Sequence, residues 1–179
     1  MPIHFITSSD HKFKEISAIV PGLERLQLDL PELQEIDPKI IIRAKLKEAT
    51  AHHLGEFIVE DTSLHLDCLG GLPGPLIKWF KQAMGLPAIA DLAAKLGNDR
   101  ATARTIIGYA HGHDDICFFE GVRNVRIVPP RGQSNFGWDV IFMPEGEIRT
   151  QGEMTTAEKN AVSMRGEAAR KLKEFLDKR

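Results

Sequence analysis

Within FIVEDTSLHLDCLGGLPGPLIKWF, residues 57–80, two carboxylates, Glu60 and Asp61, stand directly before two hydroxyls, Thr62 and Ser63. Oxygen donors of this kind suit a hard divalent cation, and a carboxylate beside such a cation can orient and deprotonate a water. Phe57-Ile58-Val59 reads as the end of a buried strand. Leu64, Leu66 and Cys68 alternate with His65 and Asp67, as in a second strand with one face buried. Gly70-Gly71-Leu72-Pro73-Gly74-Pro75 cannot continue a strand and predicts a tight, backbone-exposing loop. Pro75 then opens a helix that carries Lys78, Trp79 and Phe80. Acids at a strand end, a Gly/Pro loop and a helix lysine together suit a site for a metal and phosphates. The plainer reading of the same residues is a hairpin with solvated acids.

Other groups are placed to meet the two ends of a ligand. Thr7-Ser8-Ser9-Asp10 joins a predicted strand, Ile3–Ile6, to a helix running from about Lys12 to Val20. Such a hydroxyl-rich turn points backbone N–H groups, and here Lys12, at an anion. It is not a P-loop, because the glycines and the Gly-Lys-Ser/Thr ending are missing. The acids Glu32 and Glu35 leave the next predicted strand, Leu26–Leu30, in a loop. Phe136-Gly137-Trp138-Asp139 sets an aromatic pair in a flexible segment, and aromatic faces stack on nucleobases. On one helix the side chains of Lys159 and Arg165 would diverge by about 120°. For both to face one ligand the helix must break between them, with Ser163 capping the second piece. His111-Gly112-His113 invites a metal reading but falls at a polar hairpin tip, where a solvated turn is simpler.

The remaining elements must hold these groups in place. Pro38 opens a helix to about Leu54, on which Lys45 and Lys47 are most simply solvated charges. Pro87–Leu96 is a further helix, with Gly97 as its C-cap. Ala101–Ala110 and Ile116–Phe119 read as a hairpin, followed by Val122–Val128 with Val125 and Ile127 inward. A capping box, Thr155 to Glu158, starts the last segment, where Met164, Ala168, Leu172, Phe175 and Leu176 form an apolar stripe.

A chain of 179 residues fits one domain with a sizeable core, and 42% hydrophobic with 27% charged residues is ordinary for a globular protein. The 23 basic against 25 acidic residues give −2, so nothing draws the chain globally to nucleic acid or membrane. Cys68 and Cys117 lack metal-ligand spacing and read as buried thiols of a reducing compartment. The start, MPIHFITSSDHK, lacks the pattern of a signal peptide, and no apolar run approaches the roughly 20 residues that span a bilayer. The expectation is a cytoplasmic protein with one domain over residues 1–179.

EDTSL, LGGLPGPLIKWF, PRGQSNFGWD and AEKNAVSMR, in this order, resemble the inosine triphosphate pyrophosphatases, which clear non-canonical purine nucleotides. The similarity covers nearly the whole chain and is closer to the eukaryotic and archaeal type than to the usual bacterial one. It implies an α/β fold with a long curved mixed β-sheet, flanking helices and two lobes around an active-site cleft. It implies Mg²⁺-dependent cleavage, with Mn²⁺ as a substitute, between the α- and β-phosphorus of ITP, dITP or XTP. The products are a nucleoside monophosphate and pyrophosphate, and the enzyme is usually a homodimer, for which Ile77, Trp79 and Phe80 offer a candidate surface.

Carried over residue by residue, the resemblance places phosphate contacts on Thr7, Ser8, Ser9, Lys12, Lys45, Thr62 and Lys78. The metal falls to Asp61, with Glu60 beside it, and to Glu32, for which Glu35 competes because the local spacing differs. Asp61 is also the general base. The nucleobase falls to Phe136, Gly137, Trp138, Asp139, Lys159, Met164 and Arg165. Three positions depart from the family pattern: Thr-Ser-Ser replaces the usual Thr-Gly-Asn, Leu76 a tyrosine, and Met164 a histidine that reads the purine. A nucleotide-binding module without catalysis is the rival reading, and the retained acids argue against it. A nucleic-acid binder using Arg123, Arg126 and Arg131 is disfavoured by the net charge.

Overall fold

A computed structural model describes residues 2–134 and 137–179, so the expected base contact Phe136 lies outside the described residues. Strand β1 (Ile3–Ile6) runs parallel to both β2 (Leu23–Leu26) and β3 (Glu56–Leu66). The second half of β3 meets a two-residue strand, β4 (Pro73–Gly74). Strands β5 (Arg100–Ala110), β6 (Ile116–Ile127) and β7 (Phe142–Pro144) continue the sheet antiparallel, giving the order β2-β1-β3-β5-β6-β7. Helices α1 (Asp10–Ser17), α2 (Pro38–His52), α3 (Ile77–Met84), α4 (Leu86–Lys95), α5 (Thr156–Val162) and α6 (Met164–Leu176) flank it.

The period of two along a strand sends alternate side chains to opposite faces. Phe57 and Val59 therefore meet Ile42 and Leu46 of α2 on one face. Ile58 joins Phe5, Ile16 of α1 and Leu172 of α6 on the other. Beyond the acids, Leu64 and Leu66 enter a separate cluster with Ile77 of α3, Ile89 of α4, Val125 and Phe142. The two halves of β3 thus belong to different apolar clusters, and Glu60-Asp61-Thr62 falls between these two lobes. Two glycines let helices lie directly on the sheet. A Cβ on Gly108 would stand 2.2 Å from Ile42 Cγ2, and one on Gly121 would stand 1.9 Å from the Met164 carbonyl oxygen.

Several boundaries differ from the sequence expectation. The acids do not end a strand: β3 runs straight through them, because each residue from Phe57 to Leu66 has a partner on β5. Ile116–Ile127 is likewise one strand across Gly121 rather than two. The strand expected at Leu26–Leu30 is Leu23–Leu26, since its partner β1 is only four residues long. Leu28 and Leu30 instead pack against the α2-side cluster from an irregular segment. Helix α1 begins earlier than expected because Ser9 caps it, its Oγ accepting from the Lys12 amide. Helix α3 begins at Ile77, after Pro73–Gly74 has paired with β3. Ile77 is buried and Phe80 packs on the core, which leaves only Trp79 of the proposed dimer surface broadly exposed. Cys68 and Cys117 are free and half-buried, Cys68 in a 3-10 turn rather than a strand. No helix among the described residues is long and apolar enough to cross a membrane.

Candidate active site

The sheet itself opens the site. On its β1 side, β3 is paired up to Ile58 and again from Leu64, and residues 59–62 between them line a cleft of about 690 Å³. Every residue assigned above to phosphate, metal or base lines this cleft, except Glu35 and the undescribed Phe136. Glu35 turns its Oε1 to the amides of Ile36 and Asp37, whereas Glu32 reaches into the cleft. There Glu32 lies 3.8 Å from Lys45 Nζ and accepts from Lys78 Nζ at 3.2 Å. Burial opposes its ionisation, but the Lys78 hydrogen bond and the Lys45 charge hold its carboxyl below the usual range.

Neighbouring acids on a strand point apart, and Glu60 and Asp61 do so. Glu60 faces α1 and α6, its Oε2 2.9 Å from Lys12 Nζ as an ion pair without hydrogen-bond alignment. Its Oε1 accepts from Thr62 Oγ1 and, at 3.4 Å, from Arg165. Burial works against this carboxylate, yet Arg165 and then Lys12 overcome it and hold the pKa at about 2. Asp61 has no such partners: its Oδ2 is buried and accepts no hydrogen bond among the described residues. Burial pushes its pKa up to about 6, with Lys12 opposing and the Glu60 charge reinforcing. A buried carboxylate oxygen without a donor fits a cation ligand. Among the described residues no three His, Cys, Asp or Glu side chains converge as a complete ligand set. The two oxygen donors on offer, Asp61 and Glu32, would suit Mg²⁺, which keeps several waters and takes further ligands from phosphate oxygens.

At the other end of the cleft the helix breaks where Ser163 both ends α5 and caps α6, its Oγ accepting from Gly166 N at 3.0 Å. The break lets Lys159 and Arg165 converge on one carboxylate, Glu15 of α1. Lys159 Nζ stands 2.6 Å from Glu15 and 2.8 Å from Asp139, and Arg165 pairs with the other Glu15 oxygen. Arg165 also reaches Glu60, so the phosphate and base ends share one buried network. Burial disfavours the Glu15 charge, and Arg165 with Lys159 more than compensate. Trp138 packs on the core while lining the cleft, and Met164 does both as well, at 4% exposure.

Three residues here were not singled out from the sequence. Glu15 lies within the helix expected from about Lys12 to Val20, and only the fold brings α1 onto α6. Arg25 precedes the strand expected at Leu26–Leu30 and contacts the Thr7–Asp10 turn. Gln151 is buried in the cleft wall, and its amide has no hydrogen-bond partner among the described residues.

Cations on both lobes of an α/β fold face a buried carboxylate in this cleft, an arrangement that suits a polyphosphate. The profile of the Ham1 family matches residues 3–175, and the chain belongs to that family. An inosine triphosphate pyrophosphatase of Kluyveromyces lactis is 40% identical over 185 residues, covering 97% of this chain and 95% of the relative. The fold superposes on a HAM1 protein from Coxiella burnetii with a TM-score of 0.81, at 22% identity and full coverage of both chains. A nucleoside-triphosphatase / dITP/XTP pyrophosphatase from Mycobacterium abscessus gives 0.70 at 28% identity, covering 98% of this chain and 99% of that one. The long mixed sheet with flanking helices is therefore the fold that the motifs implied.

Proposed function

We propose that this protein hydrolyses non-canonical purine nucleoside triphosphates to the monophosphate and pyrophosphate. Family membership supports the activity, and the observation that carries the mechanism is Asp61, a buried carboxylate with an unpaired oxygen between lysines of both lobes. Lys12, Lys45 and Lys78 neutralise the triphosphate and stabilise the charge that develops on the departing pyrophosphate. Asp61, ionised above about pH 6, orients a water and accepts its proton. Glu60 stays ionised as the counter-charge that fixes Lys12 and Arg165. Trp138, Lys159 and Arg165 hold the nucleobase end, which Arg165 links to the phosphate end through Glu60. Mg²⁺ would be held by Asp61 and Glu32 and would supply further neutralisation of phosphate charge. Glu32 pairs with Lys45 and Lys78, which keeps both lysines at the phosphate end of the cleft.

A module that only bound the nucleotide would be weakened by Asp61, because an uncompensated carboxylate repels an anion. The test is incubation with ITP, dITP and XTP plus Mg²⁺, followed by detection of pyrophosphate. Orthophosphate as the product, or turnover unaltered by Asp61→Asn, would overturn the reading. The resemblance also supports a homodimer, and a monomer mass by light scattering at micromolar concentration would count against it.

A further inference from the structure

We infer that Arg25 is a positioning residue for the phosphate end of the cleft: it clamps the Thr7–Asp10 turn from behind. The inference rests on the pyrophosphatase reading above. Arg25 sits on β2 opposite Phe5, with its side chain outside the cleft. From there its Nε donates to the Thr7 carbonyl at 3.0 Å and one terminal nitrogen to the Ser8 carbonyl at 2.6 Å. The other terminal nitrogen donates to Asp10 Oδ1. The same strand also takes the Thr7 amide on the Leu26 carbonyl at 3.2 Å.

Two consequences follow from the chemistry of this fork. A planar peptide unit carries its N–H opposite its C=O. Drawing the Thr7 and Ser8 carbonyls toward Arg25 therefore turns the Ser8 amide away from it, while the Ser9 amide donates to Thr7 Oγ1 at 3.1 Å, in a turn whose residues 7–9 line the cleft. Carbonyl oxygens facing a polyphosphate would repel it, whereas amide hydrogens attract it. The second consequence concerns Asp10, the acid in the first turn of α1. Its carboxylate would oppose an anion at that helix terminus. The Arg25 hydrogen bond and charge hold it ionised but neutralised, facing away from the cleft wall. None of residues 7–10 is a glycine or takes a positive φ, and the turn is held from within by the Thr7 and Ser9 hydroxyls and from outside by Arg25.

Lysine keeps the charge of arginine but presents one compact ammonium in place of a planar fork with five N–H donors. It cannot hold two carbonyls and a carboxylate in the same geometry. The experiment compares wild type, Arg25→Lys and Arg25→Ala in Mg²⁺. It measures inorganic tripolyphosphate binding by calorimetry, together with kcat and KM for ITP and ATP and a thermal unfolding curve. Arg25→Ala should weaken tripolyphosphate binding by about tenfold or more and raise KM for both nucleotides in parallel, since charge-assisted hydrogen bonds order the turn. The ratio of ITP to ATP kcat/KM should stay the same, because the base end is untouched. Arg25→Lys should recover only part of the loss. Tripolyphosphate affinity within about twofold of wild type in a folded Arg25→Ala would overturn the inference. If Arg25→Ala fails to fold, Arg25→Lys decides, and a lysine variant that matches wild type overturns it. Wild type that neither binds tripolyphosphate nor hydrolyses ITP would instead refute the underlying pyrophosphatase reading.

Discussion

Glu15→Gln removes one charge from the centre of the buried network while keeping its shape and one acceptor. In the native protein three carboxylates, Glu15, Glu60 and Asp139, face three cations, Lys12, Lys159 and Arg165. The substitution leaves two against three. Lys159 keeps Asp139 at 2.8 Å, and Arg165 keeps Glu60 at 3.4 Å and Thr62 Oγ1 at 3.3 Å but loses its charged contact with Glu15. Removing one partner of a buried pair costs about 3–5 kcal/mol, and the retained acceptor of glutamine places this case near 3. For a domain of this size each kcal/mol lowers Tm by about 2–4 °C, so the expected fall is roughly 6–12 °C. The assay is thermal unfolding by circular dichroism at pH 7 in low salt. An exposed pair serves as control: Lys173→Ala, which breaks the contact with Asp177, should cost under about 1 kcal/mol. Because Lys159 and Arg165 lose their shared anchor, kcat/KM for ITP should fall with the stability. A Glu15→Gln protein within about 2 °C of wild type would refute the idea that this network holds the two lobes' functional groups in place.

Three further outcomes are expected. Glu60 and Glu15 have carboxyls depressed in the fold, so the native state binds fewer protons than the unfolded chain there. Their stabilisation is present above about pH 4.5 and is lost as pH falls, for Glu60 on the order of 3 kcal/mol by about pH 2, and acid unfolding followed by fluorescence should show it. Gly121→Ala drives a Cβ into the Met164 carbonyl at 1.9 Å and should cost about 3 kcal/mol or more of stability by overpacking, read from urea midpoints. Met164→His, which installs the histidine that the resemblance implies at the purine, should raise the ratio of ITP to ATP turnover several-fold, as one hydrogen bond is worth about 0.5–1.5 kcal/mol. A wild-type preference of about a thousandfold or more for ITP, over 4 kcal/mol, would contradict that role for Met164.

Local chemistry in the sequence carries most of the site, because acids, lysines and the Gly/Pro loop announce themselves by type and neighbour. The break at Ser163 was legible for a geometric reason: Lys159 and Arg165 cannot face one ligand on a continuous helix. What stayed hidden depends on long-range pairing. That Glu60-Asp61-Thr62 sits inside one eleven-residue strand is decided by β5, more than forty positions away, and not by local propensity. The opposed roles of Glu60 and Asp61 follow from that strand's alternation, which two separated strands would not have predicted. Glu15 and Arg25 escaped for the same reason. Nothing in their own segments shows that α1 lies against α6, or that β2 runs beside the end of β1.

The proposed reaction places the attacking water on the α-phosphorus, and the isotope pattern of the products tests this most directly. ITP hydrolysed in H₂¹⁸O with Mg²⁺ should give inosine monophosphate carrying one ¹⁸O and unlabelled pyrophosphate, by mass spectrometry. Label in the pyrophosphate would place the attack on the β-phosphorus and contradict the account.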